Sequence, residues 1–201
     1  MTHAFDDLFA VPDAFREISM PGRTDRWILS DAAAAHGIAA ADLTRFPDVY
    51  LPHLVRELAQ PGPRKGVLPG VRALLDALAD RPDVHLALLT GNYESAARVK
   101  LEYFDLWRYF RCGAFGDDAP DRNGLLPKAL ARVRACGGPE VPASAAVVIG
   151  DTPLDVACAA AAGARSIAVA TGDFDVAALR AAGADVVLED LSDTEAVLAV
   201  L

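Results

Sequence analysis

From about residue 63 the chain alternates short apolar runs with helical stretches, and few folds accommodate that rhythm. Apolar runs fall at 85–89, 112–115, 146–149, 166–170 and 185–188. Helical spacing fills about 69–80, 93–104, 124–136, 152–162 and 174–182, and Gly163 and Gly183 close the last two. Strands that are apolar throughout, separated by helices, indicate a parallel sheet covered on both faces. The fold class is therefore α/β, doubly wound. The first 62 residues have a different texture. Stretches 24–36 and 40–60 carry Trp27, Ile28, Leu43, Leu51, Leu54, Val55 and Leu58 at helical spacing, with no strand-like alternation. Pro61-Gly62-Pro63 punctuates the change. Two parts are expected: an all-helical module at 1–62 and an α/β core at 63–201.

The whole chain has 201 residues, a formal net charge of −9 and 53% hydrophobic residues. That acidity argues against a nucleic-acid or anionic-membrane partner. No apolar run reaches the roughly 18 residues of a membrane helix. The N-terminus has neither the basic start nor the apolar block of a signal peptide. Cys112, Cys136 and Cys158 are widely spaced and odd in number, as expected of reduced thiols in the cytoplasm.

The run Val147-Val148-Ile149-Gly150-Asp151-Thr152-Pro153-Leu154-Asp155 carries the clearest chemistry. It puts Asp151 at the carboxyl end of a buried strand and Asp155 in the first turn of the next helix. Open α/β sheets bind ligands at that end, and two converging carboxylates suit a hard cation such as Mg²⁺. The alternative is structural: Thr152 as N-cap, Pro153 at N1 and Asp155 favouring the helix dipole. Thr90-Gly91-Asn92 ends the run 85–89 and precedes a helix. A hydroxyl, a glycine and free helix N–H groups make an anion site. Asn92 as a simple N-cap is the competing reading. Arg122 lies in the loop before helix 124–136 and Lys128 in its first turns, so either could turn a cation to the same crevice, the alternative being a solvated basic residue at a helix start.

In this order, Thr90-Gly91-Asn92, a basic residue at a helix start and Gly150-Asp151-Thr152-Pro153-Leu154-Asp155 resemble the haloacid dehalogenase-like (HAD) hydrolases. The likeness is to phosphoglycolate-phosphatase-like members with a helical cap, and residues of about 84–190 resemble their core. It implies a Mg²⁺-dependent phosphatase of a small phosphorylated metabolite working through an aspartyl-phosphate. Thr90, Gly91 and Asn92 would bind phosphate, Asp151 would ligate Mg²⁺, and Asp155 would ligate or orient it. Arg122 lies nearest the family's cation by spacing from Ala129-Leu130, with Lys128 as runner-up. Gly22-Arg23-Thr24 is a further candidate substrate contact. The family's nucleophile motif, a strand ending in Asp-x-Asp, is not found upstream of the helical module. Asp6-Asp7 sits in an amphipathic helix with Phe5, Leu8 and Phe9, not after a strand. The resemblance thus implies a partial cap, a core lacking its central first strand, and a chain inactive for want of the nucleophile. A gap or irregular pairing is expected between strands 85–89 and 146–149. The alternatives are a non-catalytic phosphate-binding or interaction module, a dehalogenase or a phosphosugar mutase. Thr90-Gly91-Asn92 with the two aspartates favours phosphate and metal over dehalogenation.

Overall fold

The computed structural model describes residues 1–62 and 65–201, so the expected boundary at Pro61-Gly62-Pro63 lies partly outside the described residues. Helices α1 (Thr2–Phe9), α2 (Asp25–Ala35) and α3 (Phe46–Ala59) form the N-terminal module, with a 3₁₀ turn at Ala40–Arg45 leading into α3. Thr24 caps α2 by accepting a hydrogen bond from the Trp27 amide at 3.1 Å. Phe5, Phe15, Leu29, Phe46, Tyr50 and Leu54 bury one shared core. Phe5 and Phe46 are fully enclosed, and the Phe5 ring meets Phe15 edge-on at 5.3 Å between centroids. That core continues onto Tyr93 and Ala96, so α5 (Glu94–Tyr103) joins the helical module to the rest of the chain.

The remaining elements are α4 (Val71–Ala79), β1 (Leu88–Leu89), β2 (Gly113–Ala114), α6 (Leu125–Ala135), β3 (Val147–Gly150), α7 (Pro153–Ala162), β4 (Arg165–Val169), α8 (Val176–Ala181), β5 (Val186–Leu188) and α9 (Thr194–Ala199). Every pairing is parallel, as the apolar strands require. Thr152 and Pro153 start α7, and Gly163 ends it in the left-handed conformation at φ 73°. The short α9 carried no periodic signal in sequence. Asp193 caps it, accepting from the Ala196 amide at 3.0 Å, and Val197 packs with Leu74 and Leu78 of α4.

The strands form two sheets, β1–β2 and β3–β4–β5. Among the described residues β1 pairs only with β2, and β3 only with β4. The expected strand 85–89 is regular only at Leu88 and Leu89, because β2, its one partner among the described residues, is two residues long. Leu86 still buries its side chain, against the α4–α9 cluster. Side-chain packing rather than hydrogen bonding links the two sheets. Leu89 lies against the cluster of Val148, Leu126, Cys158 and Ala159. The irregularity expected between these strands is present, and Ile149 of β3 remains 37% exposed.

Candidate active site

The carboxyl ends of β1 and β3 open into one cavity of about 480 Å³ beneath the helical module. Thr90, Gly91, Asn92, Arg122, Asp151 and Asp155 all line it, and Gly22, Arg23 and Asp25 supply the module's side. The sequence-selected residues therefore converge, with one exception. Lys128 is exposed on α6 and lies outside this lining. A second cavity, about 580 Å³, lies within the helical module against Leu8, Ile38 and Arg45, and holds none of them.

Loop 90–92 is fixed from several sides. The Thr90 hydroxyl accepts from the Asn92 amide at 3.2 Å, a local turn that follows the end of β1. The Gly91 carbonyl accepts from the Asp25 amide at 2.6 Å, and the Asn92 carbonyl from the Gly116 amide at 2.7 Å. A side chain at position 91 would strike the Arg23 backbone, so glycine is what lets the module come so close. Asn92 is not an N-cap. Tyr93 occupies that position and makes no side-chain cap. The orphan amides of α5 go instead to carboxylates from elsewhere: Tyr93 N–H to Asp25 at 2.9 Å and Glu94 N–H to Asp117 at 3.0 Å. The Asn92 side chain is clamped, its amide donating to Asp25 at 3.3 Å and its carbonyl accepting from Lys100 at 2.9 Å.

On the β3 side both readings of Asp155 have a physical basis. It sits at N3 of α7 in a complete capping box, accepting from the Thr152 amide at 3.1 Å and hydroxyl at 2.7 Å. Its other oxygen forms an ion pair with Arg122. Both side chains are nearly enclosed, 12% exposed for Arg122 and 5% for Asp155. Arg122 also donates to the Gly22 carbonyl at 3.1 Å, tying the helical module to the loop that leads into α6. Its Nε is buried without a hydrogen-bond partner among the described residues.

Asp151 differs from its neighbour. Among the described residues it makes no ion pair. Burial, and then the adjacent Asp155 carboxylate, raise its pKa above the ordinary value. A backbone hydrogen bond and the Arg122 guanidinium offset this only in part, so a carboxylate held there at a strand end gains from a nearby cation.

Sequence reasoning missed Asp25 and Lys100. Asp25 is 4% exposed although it is charged and sits in the first turn of α2. Burial raises its pKa, while the Tyr93 amide and then Lys100 pull it back. A first-turn acid ordinarily reads as a dipole partner, so no local signal marked it. Thr24, fully buried, was noticed only as part of Gly22-Arg23-Thr24.

Residues 123–194 match the family model described as HAD-hydrolase-like. A phosphoglycolate phosphatase of Rhodospirillum rubrum is 33% identical over 175 residues, covering 85% of this chain and 70% of that protein. One from Pseudomonas savastanoi pv. phaseolicola is 38% identical over 106 residues, 53% of this chain, and the match spans only 38% of that relative's length. Among solved structures, CbbY from Rhodobacter sphaeroides in complex with xylulose-(1,5)-bisphosphate superposes with a TM-score of 0.71 at 20% identity, covering 96% of this chain and 87% of that one. With the convergence of Thr90, Arg122, Asp151 and Asp155 at the strand ends, these likenesses leave one assignment: the chain belongs to the haloacid dehalogenase-like hydrolases, in their phosphoglycolate-phosphatase-like branch.

Proposed function

We propose that this chain carries the metal- and phosphate-holding half of a Mg²⁺-dependent phosphatase for a small phosphorylated metabolite. The observation that carries the reading is the shared cavity of Thr90, Arg122 and Asp151, whose pKa burial and Asp155 raise. In this scheme residues 1–62 serve as the cap and 63–201 as the core. The Thr90 hydroxyl and the amides of loop 90–92 hold phosphate, and Asn92 orients that loop through its two clamps. Arg122, already lining the cavity, is the basic residue of the site; Lys128 lies too far out on α6 for that role.

The donor set suits a hard, oxygen-loving cation. Asp151 would hold it directly, whereas both Asp155 oxygens are engaged by Thr152 and Arg122. Among the described residues no group of three or more His, Cys, Asp or Glu could hold a metal. One carboxylate, with water and substrate oxygens completing the shell, is a common Mg²⁺ arrangement. When bound there, such an ion would supply positive charge against the negative charge that builds on the phosphoryl oxygens. Asp155 and Thr152 keep Asp151 and the start of α7 in place, and the module's Gly22 and Thr24 loops keep bulk water from loop 90–92.

The curated relatives are named phosphoglycolate phosphatases, which makes phosphoglycolate the first substrate to test. Two carboxylates of the cavity, Asp25 and Asp155, are held by several donors, and the third, Asp151, is assigned to the cation. None of them is disposed to attack phosphorus, so the 201-residue chain alone should bind phosphate yet turn over phosphoglycolate or p-nitrophenyl phosphate negligibly. That same observation favours a phosphate-binding module as the second reading. The test is phosphate binding by calorimetry with Mg²⁺, alongside release of phosphate from both esters. Thr90-dependent binding without turnover supports the proposal. Turnover abolished by a substitution within this chain overturns the assignment of roles.

A further inference from the structure

Lys100 lines the cavity, and its one contact there, the clamp on Asn92, uses only part of what an ammonium can donate. It lies on α5, well beyond loop 90–92, and helical side chains lean back toward the N-terminus, which brings its ammonium to the Asn92 carbonyl at 2.9 Å. It lines the same cavity as Thr90 and Asp151, and the wall there is completed by Ile28 and Tyr50 of the helical module. Among the described residues that is its only hydrogen bond, and an ammonium has three N–H groups to give. Burial lowers its pKa and the neighbouring Asp25 carboxylate raises it. A desolvated cation with spare donors, inside a cavity that already holds a phosphate loop, gains by meeting an anion. Burial also keeps the Tyr50 hydroxyl protonated far above the usual phenol range, so the adjoining wall carries a neutral donor.

We infer that Lys100 is a specificity-determining residue: it receives a carboxylate at the far end of a small phosphomonoester whose phosphate sits at Thr90. This rests on the phosphate reading of Thr90 given above. A monoanionic carboxylate is favoured over a second phosphate, because Asp25, held on the same Asn92 side chain, repels a dianion more strongly. The cavity volume of about 480 Å³ accommodates such a ligand.

Calorimetric titration of the 201-residue chain with 2-phosphoglycolate, ethyl phosphate and inorganic phosphate, all with Mg²⁺, tests this. Ethyl phosphate matches the phosphoglycolate skeleton but ends in a methyl group. A charge-assisted contact in a desolvated site should give phosphoglycolate about a tenfold or greater advantage over ethyl phosphate. Lys100→Met should bring that ratio close to one, whatever it does to phosphate affinity itself, and Lys100→Arg should restore part of it. The ratio separates recognition from packing, since a shifted Asn92 would weaken both esters alike. A wild-type ratio near one, or a ratio that survives Lys100→Met, refutes the inference. If inorganic phosphate binds and Thr90→Val abolishes that binding, the phosphate reading stands even when the ratio fails. If inorganic phosphate does not bind, or binds equally well to Thr90→Val, both readings fall together.

Discussion

Replacing Arg122 with Met should cost far more stability than a surface change of the same kind, and the geometry fixes the scale. Arg122 and Asp155 are 12% and 5% exposed, so the pair is desolvated. Removing one partner of such a pair strands a buried charge, at about 3–5 kcal/mol. Asp155 would keep two donors, the Thr152 amide at 3.1 Å and hydroxyl at 2.7 Å, which moves the expectation to the lower end of that range. The lost bond to the Gly22 carbonyl adds about 1 kcal/mol. Methionine fills most of the aliphatic stem, so little cavity cost is expected. A loss of about 3–4 kcal/mol corresponds to a Tm lower by about 6–16 °C for a chain of this size. Urea unfolding with and without the substitution measures it. Lys128→Met is the comparator, and being exposed it should stay within about 0.5 kcal/mol of the parent. In a cycle with Asp155→Asn, the double variant should recover a substantial part of the Arg122→Met loss. A loss below about 1 kcal/mol, or parity with Lys128→Met, would show that the ion pair does not organise this side of the cavity.

Three other outcomes follow from the same site. The raised pKa of Asp151 means the folded state favours its neutral form, so this group costs stability as pH climbs above 3.8, its ordinary value. Asp151→Asn should flatten that part of the pH–stability curve and raise metal-free stability at pH 7, and calorimetry should find its stabilisation by Mg²⁺ gone. Gly91→Ala drives a methyl group into the Arg23 backbone, which cannot step aside as a side-chain tip can; urea unfolding should show a loss of about 1–3 kcal/mol. Asp25→Ala leaves the Tyr93 amide buried without its acceptor, and a loss of about 1–3 kcal/mol in the same assay is expected.

The order of elements was readable because two periodicities write it directly. The apolar run Val147-Val148-Ile149, the Thr152-Pro153 start and the Gly163 stop each have a local cause, and each element formed where that cause lay. Strand length was not readable in the same way. His85, Leu86 and Ala87 have strand composition, but regular strand structure needs a hydrogen-bonded partner, and β2 offers only two residues. The short α9 depends on the Asp193 cap and on contact with α4, neither visible as a period. At the site, Asp151 and Thr90 stood out because each ends an apolar run, the position that open α/β sheets offer to ligands, and both line the cavity. Asp25 and Lys100 did not, since both lie on ordinary helices and reach the cavity through contacts with Asn92, 67 and 8 residues away. The Arg122–Lys128 ambiguity came from a three-residue 3₁₀ turn, Arg122–Gly124, which swings Arg122 inward and leaves Lys128 on the outer face of α6.

The central claim is that Asp151 and Thr90 hold a divalent cation and a phosphate side by side. Crystals soaked with Mn²⁺, standing in for Mg²⁺, and inorganic phosphate address it, because Mn²⁺ is located by its anomalous signal. The account predicts one anomalous peak in coordination range of an Asp151 oxygen, about 2.0–2.3 Å, with phosphate on the Thr90 hydroxyl and the amides of loop 90–92. A peak bound elsewhere, or phosphate seated away from Thr90 with Asp151 bare, would contradict it.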